Sequence, residues 1–330
     1  MRLDLLHPPR MKGRLFLVTG ASAGIGAETA KGLAARGADV WIVGRNPERT
    51  ERVRALLEQA GARDARAFRA DFSSLADVRR LAAEVRATGR PLHGLVNNAG
   101  LWHQERHESA EGFEDTFAVN HLAPFLLTHL LLPSLREGAR DGTSSGSSGE
   151  ARIVHVSSRL HEQAGNVGTL AGRLVHLAGV LNLPRPPLGQ PGFDFDDLAM
   201  RREYHGLAAY ARSKLAQLLF SNELSRRLEG SGVTSNAVHP GSVATEVTRE
   251  SPLLAFGQKL VTGILKTPEE GAATTLFVAS DPSVRGKSGR YFADSAEKEP
   301  AKSATSVEDA RRLWALSERM VELRPEERGV

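Results

Sequence analysis

Leu15-Phe16-Leu17-Val18-Thr19-Gly20-Ala21-Ser22-Ala23-Gly24-Ile25-Gly26 decides the fold, because a short apolar run leads straight into three glycines and a helix-forming stretch. A glycine motif carries meaning only in that setting, after a strand and at the start of a helix. Gly20, Gly24 and Gly26 let the backbone turn sharply and approach a pyrophosphate, and the free N–H groups around Ser22, Ala23 and Ile25 favour its charge. Alone, such a turn suits phosphate binding and plain strand-to-helix geometry about equally. The flanking strand and helix favour the phosphate.

Working outward, apolar runs alternate with helix-period segments. Strands are expected at Leu15 to Thr19, Val40 to Gly44, Ala67 to Asp71, Gly94 to Asn97, Ile153 to Ser157, Ser235 to His239 and Arg290 to Ala293. Helices are expected from Ile25, after Pro47, and over Leu75 to Ala87, Gly112 to Leu135, Ala208 to Leu228, Pro268 to Ala279 and Val307 to Leu323, the last capped by Ser306. This is the rhythm of an α/β protein: one Rossmann-type, doubly wound parallel sheet of about seven strands with helices on both faces. We expect a single domain over 1–330, its nucleotide half at 12–135 and its catalytic half at 151–293, with an insert at 160–205 and a C-terminal helix at 306–323.

Composition bounds the function. The 330 residues are 41% hydrophobic and 25% charged, as in an ordinary globular protein, and 43 basic against 39 acidic residues leave a scattered net charge of +4. A nucleic-acid partner is therefore not expected. The absence of cysteine excludes disulfides, thiolate nucleophiles and thiolate metal sites, and fits a reducing, cytoplasmic compartment. Residues 1–12 resemble neither a leader nor a membrane span, and Ala123 to Leu132, the longest apolar stretch, is too short to cross a bilayer.

Two features point to chemistry. The second expected strand ends at Gly44-Arg45 rather than in the acid that would bind a free ribose 2′-hydroxyl, while Asp39 lies at the wrong end of that strand. Arg45, helped by Arg49, suits a 2′-phosphate, so NADP(H) is favoured over NAD(H); the bland reading of Arg45 is a solvated loop residue. In Tyr210-Ala211-Arg212-Ser213-Lys214, a phenol and an ammonium stand one helical turn apart, which suggests proton transfer beside a nicotinamide.

Asn97-Asn98-Ala99-Gly100, Ser157-Ser158, Tyr210 to Lys214 and His239-Pro240-Gly241, in that order after the glycine turn, resemble the short-chain dehydrogenase/reductase family. Asn120-His121-Leu122, Val238 to Gly241 and Ala310-Arg311-Arg312-Leu313-Trp314 are similar to its retinol-dehydrogenase-like branch. The resemblance implies a catalytic set of Asn120, Ser158, Tyr210 and Lys214. Tyr210 is then the general acid in reduction and general base in oxidation, its pKa of about 10 lowered by roughly three decades by Lys214 and the cofactor. Ser158, with Ser157 as fallback, holds the substrate oxygen, and Asn120 holds a water in a proton relay. The resemblance also implies cofactor contacts at Asp71 and Phe72 beside adenine, at Asn98, Ala99 and Gly100 along the adenosine, and at Pro240, Gly241, Val243 and Thr245 around the carboxamide. Asn97 and Asn98 suit a structural bridge between strands equally well. A homodimer through the helices at Gly112 to Leu135 and Ala208 to Leu228 is a further implication.

Other features read as structure. His103 and His107 have metal-ligand spacing but no evident third ligand, and Tyr204 has Ala208, not lysine, four residues on. Asp141 to Glu150 reads as a Gly/Ser-rich surface loop. Leu170, Leu174, Leu177 and Leu181 form a stripe that packs on the body or forms part of a lid, and Leu253, Leu254, Phe256, Leu260 and Val261 offer a second apolar wall. The expected reaction is hydride exchange with a small lipophilic carbonyl or alcohol. The alternative is an NADP(H)-binding regulatory protein without turnover, which would have no use for a proton relay.

Overall fold

The computed structural model describes residues 11–144, 149–164, 193, 195–243 and 266–329. Its strands are β1 (Leu15–Thr19), β2 (Asp39–Gly44), β3 (Ala65–Arg69), β4 (Gly94–Asn97), β5 (Ala151–Val156), β6 (Val233–His239), β7 (Tyr291–Ala293) and β8 (Ala296–Lys298). They form one eight-stranded sheet in the order β3-β2-β1-β4-β5-β6-β7-β8. All pairings through β7 are parallel, and β8 returns antiparallel.

The strand period divides the core. Leu15, Leu17, Trp41, Val43, Leu95 and Ile153 face one layer, while Phe16, Val18, Val40, Ile42, Val96 and Val154 face the other. The first layer holds α3 (Leu75–Ala87), α4 (Ala123–Ser144), α5 (Gly206–Arg227) and α7 (Val307–Met320); the second holds α1 (Gly24–Ala35), α2 (Pro47–Ala60) and α6 (Pro268–Ser280). Helix starts follow local chemistry. Asn46 and Ser74 cap α2 and α3, Thr267 and Glu270 form a capping box ahead of Pro268, and Ser306 accepts from Asp309 N–H as expected.

Because β1 pairs with both β2 and β4, the chain winds outward in two directions from that point. A crevice at the carboxyl ends of β1 and β4 is where such a sheet binds ligands. The glycine turn and Asn97-Asn98 both lie there.

Three expectations need adjusting. An eighth strand is present, made by the hairpin through Asp294 and Ser295, both at positive φ. The helix expected to end at Leu135 continues to Ser144, so the first residues of the Gly/Ser stretch are helical. Asp115–Asp141 is one run of helix long and apolar enough to cross a membrane, but 94% of its most apolar window is buried, which makes it a core helix here. The leucine stripe at 170–181 and the apolar wall at 253–261 lie outside the described residues.

Candidate active site

The glycine turn is built as its spacing requires. Gly20 has φ +64, and a Cβ there would stand 2.7 Å from Ala99 Cα; a Cβ on Gly26 would strike Asn98 Nδ2 and come within 2.5 Å of the Gly20 carbonyl. Gly24, at φ +59, faces open space. Helix α1 begins there with Ala23 in extended conformation as its N-cap, no side-chain cap and no acid in the first turn. An α-helix leaves its first N–H groups unbonded, so an uncapped start before open space fits a pyrophosphate. Ser22, Ala23 and Ile25 are half-buried at this opening.

Around the turn, Asn98 donates through Nδ2 to the Thr19 and Gly20 carbonyls (2.8 and 3.1 Å) and Thr19 Oγ1 accepts from Asn98 and Ala99 N–H (3.0 Å each). Asn97 donates to Thr128 Oγ1 at 3.0 Å. Both side chains make bridging bonds, the structural alternative foreseen for them, although Asn97 Oδ1 is buried without a partner among the described residues. Arg45 is exposed at the carboxyl end of β2 beside Gly44, which abuts Ser22 and Thr50. Asp39, at the opposite end, is paired with Arg90 at 2.8 Å. Asp71 accepts from Ser73 N–H and Oγ in the turn after β3, and Phe72 is buried beside it.

Past β6, Pro240 is buried and Gly241 adopts φ +91. Val243 bridges Lys266, and the nearest atoms to a Cβ on Gly271 of α6 are Val243 Cγ2 at 2.6 Å and Ile25 Cγ1 at 3.2 Å. The β6 turn therefore meets the start of α1, joining the two halves of the expected cofactor site. Thr245 lies outside the described residues.

The chemical centre sits at the end of β5. Ser158 is extended and caps the 3-10 turn Arg159–Gln163, its Oγ accepting Leu160 N–H at 3.2 Å, and its side chain is near enough to the Tyr210 phenol to favour the phenolate. Ser157 instead donates to the Lys214 carbonyl at 3.0 Å and is buried. Of the two serines, Ser158 is the one that influences the phenol. Lys214 is buried, its Nζ donating to the Val156 carbonyl (2.9 Å) and Gln217 Oε1 (3.0 Å) and lying 5.4 Å from the Tyr210 ring centre. A Cβ on Gly100 would come within 3.1 Å of Asn120 Oδ1 and 3.5 Å of Lys214 Nζ, so these groups gather round one point.

Charge at this centre departs from expectation. Burial pushes the Tyr210 phenol up to about 12, opposed by the nearby Ser158 side chain, and pulls the Lys214 ammonium down from 10.5 to about 7. Desolvation sets the direction for both groups. Asn120 lies in the π turn Ala118–Leu122, a geometry frequent at functional sites, and its amide is held within the fold: Oδ1 accepts Leu101 N–H (2.8 Å) and Nδ2 donates to Leu101 O (3.0 Å) and Ser213 Oγ (2.9 Å). Its side chain forms part of the wall over Gly100.

Sequence reasoning missed Gln217, although its i,i+3 spacing from Lys214 was the signal, and missed Ser213 and His161. Tyr204 donates to the His103 carbonyl (3.2 Å) and Glu114 Oε1 (3.4 Å), a scaffold contact. His103 pairs with Asp115 at 2.9 Å and packs on the His107 ring. No group of three metal-binding side chains exists among the described residues.

Comparison with known proteins agrees with this fold. The short chain dehydrogenase family model matches residues 14–170. The chain is 40% identical to polyprenol dehydrogenase of Mus musculus over 322 residues, covering 96% of this chain and 86% of that protein. The chain belongs to the short-chain dehydrogenase family. This dehydrogenase is also 36% identical to human retinol dehydrogenase 11 over 93% of its own length and 86% of the relative's. Its fold resembles the Pseudomonas aeruginosa RhlG/NADP active-site complex, with a TM-score of 0.61 and 27% identity over 87% of this chain and 97% of that one. It is thus an alcohol/carbonyl oxidoreductase with a place for a nicotinamide cofactor.

Proposed function

We propose that this dehydrogenase uses NADP(H) to interconvert a lipophilic aldehyde or ketone and its alcohol, with Tyr210 moving the proton. The observation that carries the reading is the gathering of Tyr210 and Ser158 with buried Lys214, whose Nζ lies 5.4 Å from the Tyr210 ring centre and close to Gly100. The bound nicotinamide supplies or accepts the hydride. Tyr210 gives its proton to the carbonyl oxygen in reduction and takes the alcohol's proton in oxidation. Ser158 donates to that oxygen as negative charge develops on it. Lys214, its pKa lowered by burial, can leave the Val156 carbonyl and Gln217 to bind a ribose hydroxyl and bring charge toward the phenol.

The NADP(H) preference rests on Arg45 at the end of β2, where no carboxylate opposes a 2′-phosphate, and the RhlG neighbour's bound NADP supports it. A lipophilic substrate is supported by the names of the polyprenol and retinol dehydrogenase relatives. The test is NADPH and NADH oxidation with decanal, farnesal and all-trans-retinal, in wild type and Tyr210→Phe. We expect turnover with NADPH, at least tenfold weaker use of NADH, and a loss in Tyr210→Phe of about 10³-fold or more with NADPH affinity retained. Equal turnover in the two proteins would remove Tyr210 from the mechanism; NADPH binding without turnover in either would favour a regulatory protein.

A further inference from the structure

One buried polar group next to the catalytic serine has no part in the chemistry above. His161 is fully buried in the 3-10 turn that Ser158 caps. Its backbone N–H bonds the Ser158 carbonyl at 3.2 Å, and its Nδ1 lies 2.7 Å from the same oxygen. Across the ring, Nε2 lies 3.2 Å from the backbone N of Ala301, between β8 and the 3-10 turn Lys302–Thr305. The tautomer follows from these partners. A backbone N–H can only donate and a carbonyl can only accept, so Nε2 carries a lone pair and Nδ1 the hydrogen. Burial holds the ring neutral, its pKa pulled down to about 4, so this arrangement persists at physiological pH.

The neighbouring ring does a similar task. Arg159 N–H donates to His239 Nδ1 at 3.3 Å, and the Tyr291 ring meets His161 edge-on at 5.2 Å. The Ser158 peptide is therefore fixed from its carbonyl side by one histidine, whose far side is tied to the C-terminal segment.

We propose that His161 is a positioning residue for Ser158, its Nδ1–H holding the serine's carbonyl and so setting where the Ser158 hydroxyl stands relative to the Tyr210 phenol. This rests on the reading of Ser158 as the group that holds the substrate oxygen. The side chains that split the two bonds are at hand: His161→Asn keeps an amide donor near the Nδ1 position, His161→Gln keeps an acceptor near the Nε2 position, and His161→Leu keeps neither.

With NADPH and decanal, His161→Leu is expected to lose kcat by about 50-fold with the NADPH KM unchanged. His161→Asn should return to within about fivefold of wild type, and His161→Gln should not. Equal losses in all three, or losses that follow the urea midpoint, would overturn the proposal. A second readout needs no turnover: with 3-fluorotyrosine incorporated, the ¹⁹F resonance of residue 210, identified with Tyr210→Phe, should move in His161→Leu toward its position in Ser158→Ala and stay put in His161→Asn. A shift of Tyr291 alone would also overturn it. If wild type fails to reduce the aldehydes while the resonance behaves as stated, the proposed reaction falls and the positioning role stands.

Discussion

At the scale of the residue, Lys214 shows why a motif does not fix its own electrostatics. Four-residue spacing on a helix placed its ammonium near Tyr210, and that much was legible in the sequence. The sign of the outcome was not, because it depends on how much water the folded chain leaves around both groups. The stability consequence can be worked out for the cofactor-free protein. The folded-state pKa of about 7 lies below the ordinary 10.5, so between those values the unfolded chain binds the extra proton and stability rises with pH. Below pH 7 the full cost of burying the ammonium is present. Lys214→Met removes that cost, so its stability gain over wild type should be largest near pH 6 and smaller at pH 9 by about 2–3 kcal/mol, at 1.36 kcal/mol per decade. Urea denaturation at the two pH values measures this. A difference that does not change with pH would mean that the lysine is solvated.

At the scale of the element, the β1-turn-α1 unit makes a sharper test of cofactor position than any single contact. Gly24 has φ +59 and nothing within 4 Å of an added Cβ, so Gly24→Ala costs the protein only the left-handed backbone penalty of about 1–2 kcal/mol. The same methyl would occupy the opening where the pyrophosphate is read to lie. NADPH affinity, followed by its fluorescence, should therefore fall at least tenfold while the urea midpoint moves little; unchanged affinity would place the phosphates elsewhere. The elements that sequence revealed were those whose period reports burial, such as β1, β2 and β5, with every residue inward on one face or the other. Strand β8 escaped because Ala296, Glu297 and Lys298 are all exposed and are held by pairing with β7. The extension of α4 past Leu135 escaped because Ala139 and Gly138 pack inward despite glycine-rich composition around them. In the site, the Tyr210–Lys214 pairing was legible from helical spacing, while Ser158 was implied by the family resemblance. Gln217 was legible in its i,i+3 spacing from Lys214 but was missed, whereas His161 was not legible, since its partner Ala301 N–H is brought to it by tertiary packing.

At the scale of the whole molecule, the same desolvation that governs the site recurs in its histidines. His121, His129 and His155 pack among Phe125, Phe220 and Trp314 under α7, with His121 bonded to Ser317 of that helix at 2.8 Å. His93 accepts Leu15 N–H from β1, and His161 and His239 hold the Ser158 turn. Burial lowers all six, His93, His129 and His161 to about 4 and His121, His155 and His239 to about 3. Each is a base with a folded pKa below the unfolded 6.5, so as pH falls from 6.5 toward 4 the unfolded chain gains protons that the folded one refuses, and stability drops. The buried Glu114 carboxyl, raised by desolvation, works in the opposite direction but is a single group. At pH 5 each histidine costs about 2 kcal/mol, so six together cost on the order of 10 kcal/mol, comparable to the stability of a whole domain. The protein should therefore lose stability as pH falls below 6.5 and unfold cooperatively, with a midpoint above the range in which its surface carboxylates titrate. His129→Leu, which replaces a ring whose Nε2 has no partner, should lower that midpoint by about a quarter of a pH unit. Far-UV circular dichroism and tryptophan fluorescence from pH 8 to 4 would follow both proteins, and a native signal retained at pH 4 would show that these rings are accessible to water.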